Sequence, residues 1–482
     1  HMPVAGWRFG VRPIGPEFGE HAGVVATLHT VRGIGATSDG IGGEAGADVA
    51  TERIVADGTG GDVHERVVIE LAAGDEHAEG LLLVFIVRGT GCHVWDIEGR
   101  EFIEYGMGLR AVTLGHAFAP VLETVMHQLS SGINFTRPAP IEVECAEQLL
   151  EIVPTAEMVK FCKDGSHAVD GALRLSRAYT GRDMVAICGD HPFFSTSDWF
   201  IGTTEMNAGI PETSRRLVVK FRYNDLASLE ELFIQHPDQI ACVVMEAART
   251  EEPAPGYLEA VKLTSHAHGA LLVFDEMITG FRWNLNGAQH EYGVTPDLSA
   301  FGKALANGFS VSALVGRREI MQLGGGDHDR ERVFLLSTTH GAETHQLAAA
   351  LATMRFYQDH PVVETLYARG TRLRQGFERA IEGNGLVGYV DVVGRDCNLL
   401  FGTRDAEKRP SQPFRTLFMQ EMIKYGVIAP SFVVSYSHSE ADIDRTLEAV
   451  DEALKVYRKA LDESVDRYLV GQSVKPVFRR YA

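Results

Sequence analysis

Six short apolar runs punctuate this chain: MVKFC (158–162), MVAIC (184–188), IACVVME (240–246), ALLVFDE (270–276), SALVG (312–316) and VFLLS (333–337). Longer stretches with apolar residues at helical spacing separate them. A run that short and without polar alternation suits a strand buried on both faces, and strands separated by helices assemble into a mostly parallel sheet. The expected fold class is therefore α/β: a large, mostly parallel sheet domain with helices on both faces, plus a smaller α/β terminal domain. With 482 residues, 45% of them apolar and 23% charged, the chain has ample material for such a core.

Around this centre the sequence divides into three parts. Residues 1–88 form an arm or irregular subdomain: they carry no lysine, and stretches such as Gly33 to Asp48 would lose much conformational entropy on ordering for little apolar burial. Residues 89–345 form the large domain, whose ligand-binding part starts near 150, and residues 346–482 form the small one. The segment His93 to Tyr105 reads as a β-hairpin turning at Glu98-Gly99. Pro120 to Leu129 and Ile141 to Ile152 read as helices. Two βαβ-like stretches (385–402 and 414–437) are followed by a helix opened by a Ser439/Asp442 capping box.

Acids outnumber bases 65 to 45, a formal net charge of -20. Such a surface repels phosphate backbones and anionic lipid, so neither nucleic acid nor a membrane surface is an expected partner. The longest apolar run, Leu81 to Val87, falls well short of the ~20 residues that span a bilayer. Six scattered cysteines with no CxxC pair and no His/Cys cluster at zinc spacing point to a reduced, cytoplasmic protein without a metal site.

Three features stand where open α/β sheets bind ligands, just beyond the ends of strands. Asp275-Glu276 closes one apolar run, and a carboxylate there needs a cationic partner, either a ligand or a basic residue such as Arg282. Lys303 is one of only ten lysines and is flanked by Phe301, Gly302, Ala304 and Leu305. Desolvation lowers the pKa of a lysine and makes it a nucleophile toward carbonyls, whereas a lysine whose stem packs and whose head reaches water stays inert. Gly165-Ser166 sit between a strand and a helix, where Ser166 is either a plain N-cap or part of an anion site. Together the three suit pyridoxal phosphate, which needs a phosphate cradle, a carboxylate for its ring nitrogen and a lysine for its aldehyde.

Three segments, FDEMITGFRWNLNGAQHEYGVTPDLSAFGKALANGF (274–309), KDGSHAVDGALRLSRAYTGRD (163–183) and STTHGAET (337–344), carry a closer likeness. From about Gly89 to Ala482 the chain resembles the class III, fold-type I pyridoxal-phosphate aminotransferases, in the branch of glutamate-1-semialdehyde aminomutase. The resemblance implies that Lys303 is the Schiff-base lysine and Asp275 the partner of the pyridine nitrogen. Gly165 and Ser166 would hold the phosphate, and Met277 would pack on one ring face. Thr338 and Thr339 would reach the phosphate of a neighbouring subunit, implying a homodimer, and Glu246 would stand on the substrate side. One departure is visible: where the family has Tyr-His-Gly this chain has Asp190-His191-Pro192, so His191 or Phe193 must supply the stacking ring.

The implied activity is transfer of an amino group from a donor amine to an aldehyde or ketone. An intramolecular aminomutase, an amino-acid epimerase and a non-catalytic binding protein are the alternatives. The aminomutases of the branch carry an acid in the loop corresponding to 429–438, and this chain has none there, which favours transamination. Arg110 and Arg249 are candidate clamps for a carboxylate or phosphate of the substrate, with intramolecular salt bridges as the alternative. Trp199 and Trp283 are candidates for the pocket wall.

Overall fold

The computed structural model describes residues 84–153, 155–334 and 339–475. The expected arm therefore lies outside the described residues except for its last five positions, and so does Thr338. The chain enters a small sheet through β1 (Ile86–Thr90), β2 (His93–Asp96) and β3 (Glu101–Glu104), paired antiparallel in sequence order. The turn falls where the sequence predicts it, with Gly99 in the left-handed region at φ 80°.

The large sheet follows: β4 (Met158–Cys162), β5 (Met184–Cys188), β6 (Val218–Phe221), β7 (Ile240–Met245), β8 (Leu271–Asp275), β9 (Leu298–Phe301) and β10 (Ser312–Gly316). Their order is β4-β10-β9-β8-β7-β5-β6. Neighbours from β9 through to β6 pair parallel, and β10 alone runs against both its neighbours. Burial explains the unbroken apolar runs. In β7, Cys242 and Val244 pack with Ala168, Ala172 and Leu175 of the Gly165–Thr180 helix on one face. Val243 and Met245 pack with Leu229, Phe233 and Val261 on the other.

Of the run at 333–337, Val333 and Phe334 are outside regular structure and the rest lies outside the described residues. A strand the sequence reading missed, β6, takes the edge of the sheet. Its pattern VVKF carries an exposed lysine, Lys220, and only Phe221 is fully buried, because an edge strand is only partly covered.

Beyond the Thr344–Asp359 and Val362–Gly383 helices come β11 (Val390–Val393) and β12 (Leu400–Thr403). These two pair antiparallel, so 385–402 is a two-stranded ribbon and not a βαβ unit. The Gln412–Lys424 helix leads to β13 (Val427–Ile428), which adds parallel to β3. Residues from both ends of the described chain therefore share one core: Ile103 and Tyr105 pack with Phe377, Phe401, Phe418 and Phe432. The capping box is present, with Ser439 accepting from the Asp442 amide and opening the Glu440–Asp462 helix.

One close approach joins the Val362–Gly383 helix to the turn between β11 and β12. At Gly370, in the middle of the Val362–Gly383 helix, a Cβ would run into the carbonyl of Asp396. The Asp396 carboxylate in turn collects Thr371 and Arg374 of the same helix. Gly370→Ala should accordingly cost about 1–3 kcal/mol, as overpacking does, and lower the melting temperature measured by circular dichroism. An unchanged melting temperature would show that the turn at 396–398 is free to move.

Candidate active site

A cavity of about 460 Å³ opens beyond the carboxyl ends of β4, β7, β8 and β9. Gly165 and Ser166, Glu246, Asp275, Met277 and Lys303 all line it. These residues come from four separate loops, and the parallel sheet brings them together because every one of them follows the end of a strand.

Asp275 is the last residue of β8 and is 5% exposed. Its Oδ1 accepts from the Met277 amide at 2.9 Å, and among the described residues no cation forms an ion pair with it. Burial, reinforced by Glu246, pushes its pKa up, and Lys303 opposes that shift. Strand alternation sends the next carboxylate the other way. Glu276 accepts from Thr279 and from the amides of Ala288 and Gln289, so it fastens the 284–289 loop and does not serve the cavity. Arg282 pairs with neither carboxylate. It is fully buried and donates to the carbonyls of Ile278 and Arg110 and to Thr113 Oγ1.

Lys303 follows β9 with φ 46°, a left-handed conformation that is uncommon and strained for a residue with a Cβ. Burial pushes the pKa of its amine below the usual lysine range, against the pull of Asp275 and Glu246. Glu246 is 3% exposed, and its Oε2 has no hydrogen-bond partner. Burial raises its pKa, opposed first by Arg249. Asp275, Glu246 and Lys303 on one cavity wall, none of the three in an ion pair among the described residues, are poised to receive a polar ligand.

The helix start is built for an anion. Asp164, and not Ser166, is the N-cap: its side chain accepts from the His167 amide at 3.0 Å. The first N–H groups of a helix have no intrahelical acceptor, so those of Gly165 and Ser166 remain for a ligand at the cavity wall. A Cβ at Gly165 would stand 2.9 Å from Met277 Sδ, which makes glycine the residue that fits between them. Ser166 Oγ accepts from the Thr196 amide at 3.1 Å, which brings Thr196 into the lining.

The 190–200 loop departs from the expectation for His191. That ring is 4% exposed and absent from the lining. Its Nδ1 accepts from the Glu246 amide at 3.0 Å, which requires the neutral form, and burial pushes its pKa down to about 4. Phe193 and Phe194 are this loop's aromatic residues at the cavity, which Phe309 also lines. Asp170 holds this loop down by accepting from Ser195 Oγ at 2.8 Å, from Trp199 Nε1 at 2.6 Å and from Ser197 Oγ. Trp199 is thus a loop anchor and Trp283 a buried partner of Arg395; neither lines the cavity.

Of the two arginines, Arg110 sits in a left-handed turn, with Met107, Leu109 and Arg110 itself all at positive φ. Its Nε donates to Asn398 Oδ1 at 3.1 Å and its Nη2 to Ser431 Oγ at 3.2 Å. Arg249 is half-buried beside Glu246 and His191. Neither lines the cavity. Thr339 is exposed and lines a separate hollow with Asn134, Arg137 and Lys160. Sequence reasoning missed Thr196, Lys163 and Asp170, because a lone polar residue in a loop or helix carries no spacing signal.

Comparison with known proteins agrees with this geometry. Residues 75–454 match the pattern of the family Aminotransferase class-III. A 3-aminobutyryl-CoA aminotransferase from Cloacimonas acidaminovorans (strain Evry) is 30% identical over 388 residues, covering 78% of this chain and 90% of the relative. A glutamate-1-semialdehyde 2,1-aminomutase from Desulforudis audaxviator (strain MP104C) is 33% identical over 395 residues, covering 77% and 90%. Among solved structures, the pyridoxal-phosphate internal aldimine form of the FumI protein of Sphingopyxis sp. MTA144 superposes with a TM-score of 0.73 at 27% identity, covering 81% of this chain and 94% of that one. A fold-type I sheet, a matched family pattern over most of the chain and relatives aligned along nearly their whole length lead to one conclusion: the chain belongs to the class-III aminotransferases, enzymes whose cofactor is pyridoxal phosphate.

Proposed function

We propose that this chain moves an amino group from a small donor amine to an aldehyde or ketone acceptor, with Lys303 and Asp275 as the catalytic pair. The observation that carries the reading is the convergence of Lys303, Asp275 and the Gly165–Ser166 helix start on one cavity. The residues fit the cofactor group by group. The helix start offers N–H groups to a phosphate, Asp275 offers an unpaired buried carboxylate to a ring nitrogen, and Lys303 offers an amine to an aldehyde.

Bound pyridoxal phosphate supplies an electrophilic carbon for amines and a ring that accepts electrons. Asp275, with no cation paired to it among the described residues, would favour a protonated ring nitrogen by charge pairing. Lys303 would be placed to take a proton from the substrate carbon and return it, as general base and then acid. The depressed pKa of its amine keeps a larger fraction in the neutral form this role needs. Met277 and the Phe193–Phe194 pair close the cavity with apolar surface, which excludes water. Glu246 lies on the same wall with one free oxygen, and Arg249 and Arg110 nearby favour a substrate that carries its own negative group.

A homodimer and a reduced cytoplasmic setting belong to the same proposal. Thr339 sits away from its own chain's cavity, as suits a residue that serves a neighbouring subunit. All six cysteines are buried and unpaired, as suits a reducing compartment. Among the described residues no helix is long and apolar enough to cross a membrane. The relatives named as aminomutases support the alternative of returning the amine to the same molecule. The absence of any acid in 429–438 favours transamination.

The assay that separates these readings mixes the holoenzyme with a single amine and no carbonyl acceptor. A transaminase converts one equivalent of amine per site and stops until an acceptor is added; a mutase or epimerase keeps turning over. Lys303→Ala should lower kcat by about 10²–10⁴-fold, the usual share of an acid–base group, whereas undiminished turnover would remove Lys303 from the mechanism. Because only the neutral amine attacks an aldehyde, the rate at which the apoenzyme captures pyridoxal phosphate should rise with pH through a midpoint below the ~10.4 of a free lysine. A midpoint at or above that value would contradict the desolvated setting.

A further inference from the structure

Away from the cavity, the fold brings three different metal-ligating side chains to one point. Cys92 and His93 stand at the start of β2, and Asp442 lies in the first turn of the Glu440–Asp462 helix, 350 positions beyond Cys92. Cys92 Sγ is 3.4 Å from Asp442 Oδ2, and His93 Nε2 is 3.1 Å from Asp442 Oδ1. The three ligand atoms all lie within 4.8 Å of one another.

The two contacts fall on different oxygens of Asp442, so a cation between the thiol and the imidazole would take the carboxylate through both oxygens, and each separation is close to a ligand–ligand edge of a small site. Zinc bonds of ~2.3 Å to sulfur and ~2.0–2.2 Å to nitrogen and oxygen give ligand–ligand edges of roughly 3.6 Å for S–O and 3.4 Å for N–O. The surroundings are those of a ligated site as well. The other ring nitrogen of His93, Nδ1, lies 2.7 Å from Glu101 Oε1 without hydrogen-bond geometry, so Glu101 adds negative charge beside the imidazole. Asp442 Oδ2 also accepts from the Ser439 amide at 2.8 Å and from Ser439 Oγ at 2.6 Å, which fixes the carboxylate. Cys92 is 1% exposed, and the His93 side chain, at 24%, gives an ion a way in.

We propose that Cys92, His93 and Asp442 bind one divalent cation of the zinc class, with water completing its shell, and that it clasps the β1–β3 strands to the last long helix. Thiolate, imidazole and carboxylate in a small site select a borderline-soft ion over magnesium or calcium. On binding, the Cys92 S–H bond breaks as the sulfur–metal bond forms, and the proton leaves to solvent. The expectation of no metal rested on spacing within single segments, and here the third ligand comes from the far end of the chain.

Hydrogen bonds alone also hold this trio together, and zinc uptake distinguishes the two readings. The holoenzyme is dialysed against a chelator and then titrated with Zn²⁺ by calorimetry, with metal content read by mass spectrometry. The expected result is one zinc per chain and a melting temperature raised by zinc. Cys92→Ser and His93→Gln should each weaken binding at least tenfold. Retained cofactor absorbance would show that each variant is folded, and His93→Gln suffices if Cys92→Ser is not. No stoichiometric zinc in the wild type, or equal uptake by wild type and His93→Gln, would overturn the site.

Discussion

A carboxylate buried at the end of a β-strand, with no cation paired to it among the described residues, is the constraint around which the catalytic half of this molecule is arranged. An isolated ion in such a place costs several kcal/mol even after the surroundings relax. Asp275 answers that cost only in part, through one amide hydrogen bond from Met277 and the field of Lys303. The remainder is left for a ligand. In the proposed reading, a cofactor that pairs with this carboxylate recovers part of what burial cost.

The rest of the structure holds this arrangement in place. The parallel order of β9, β8, β7 and β5 delivers Lys303, Asp275 and Glu246 to the same edge of the sheet. Glu276 turns away from the cavity to fasten the following loop, so two adjacent carboxylates have opposite tasks. Asp170, on the helix that offers its N-terminus to the cavity, binds three donors of the 190–200 loop and so sets where Phe193 and Phe194 stand. Arg110 is held in its strained turn by Asn398 and Ser431, which links the cavity rim to the C-terminal core.

Much of this is legible in the sequence, for physical reasons that also mark where legibility stops. Buried parallel strands must be apolar on both faces, so β5, β7 and β8 announce themselves; β6, partly covered at the edge, does not. Lys303 and Asp275 stand out because charges rarely follow apolar runs without a partner. Ser166 looks like a helix cap, yet Asp164 two residues earlier takes that role, because either residue type fits the N-cap position and only the backbone decides. His191 resembles a stacking ring by its place in a motif, but the Glu246 amide has claimed its Nδ1. The antiparallel ribbon of β11 and β12 reads as a βαβ unit because short strands and turns share their residue types. Long-range partnerships such as Arg110 with Ser431 leave no local trace at all.

The most direct test of the account is to locate the cofactor on the chain. Borohydride reduction of the holoenzyme makes the lysine–cofactor bond permanent, and peptide mass spectrometry then identifies the modified residue. Ten lysines are available, and Lys163 lines the same cavity but is engaged with Glu343 at 2.9 Å. The account predicts a single modified peptide carrying Lys303. Modification at Lys163 or any other lysine, with Lys303 untouched, would contradict it.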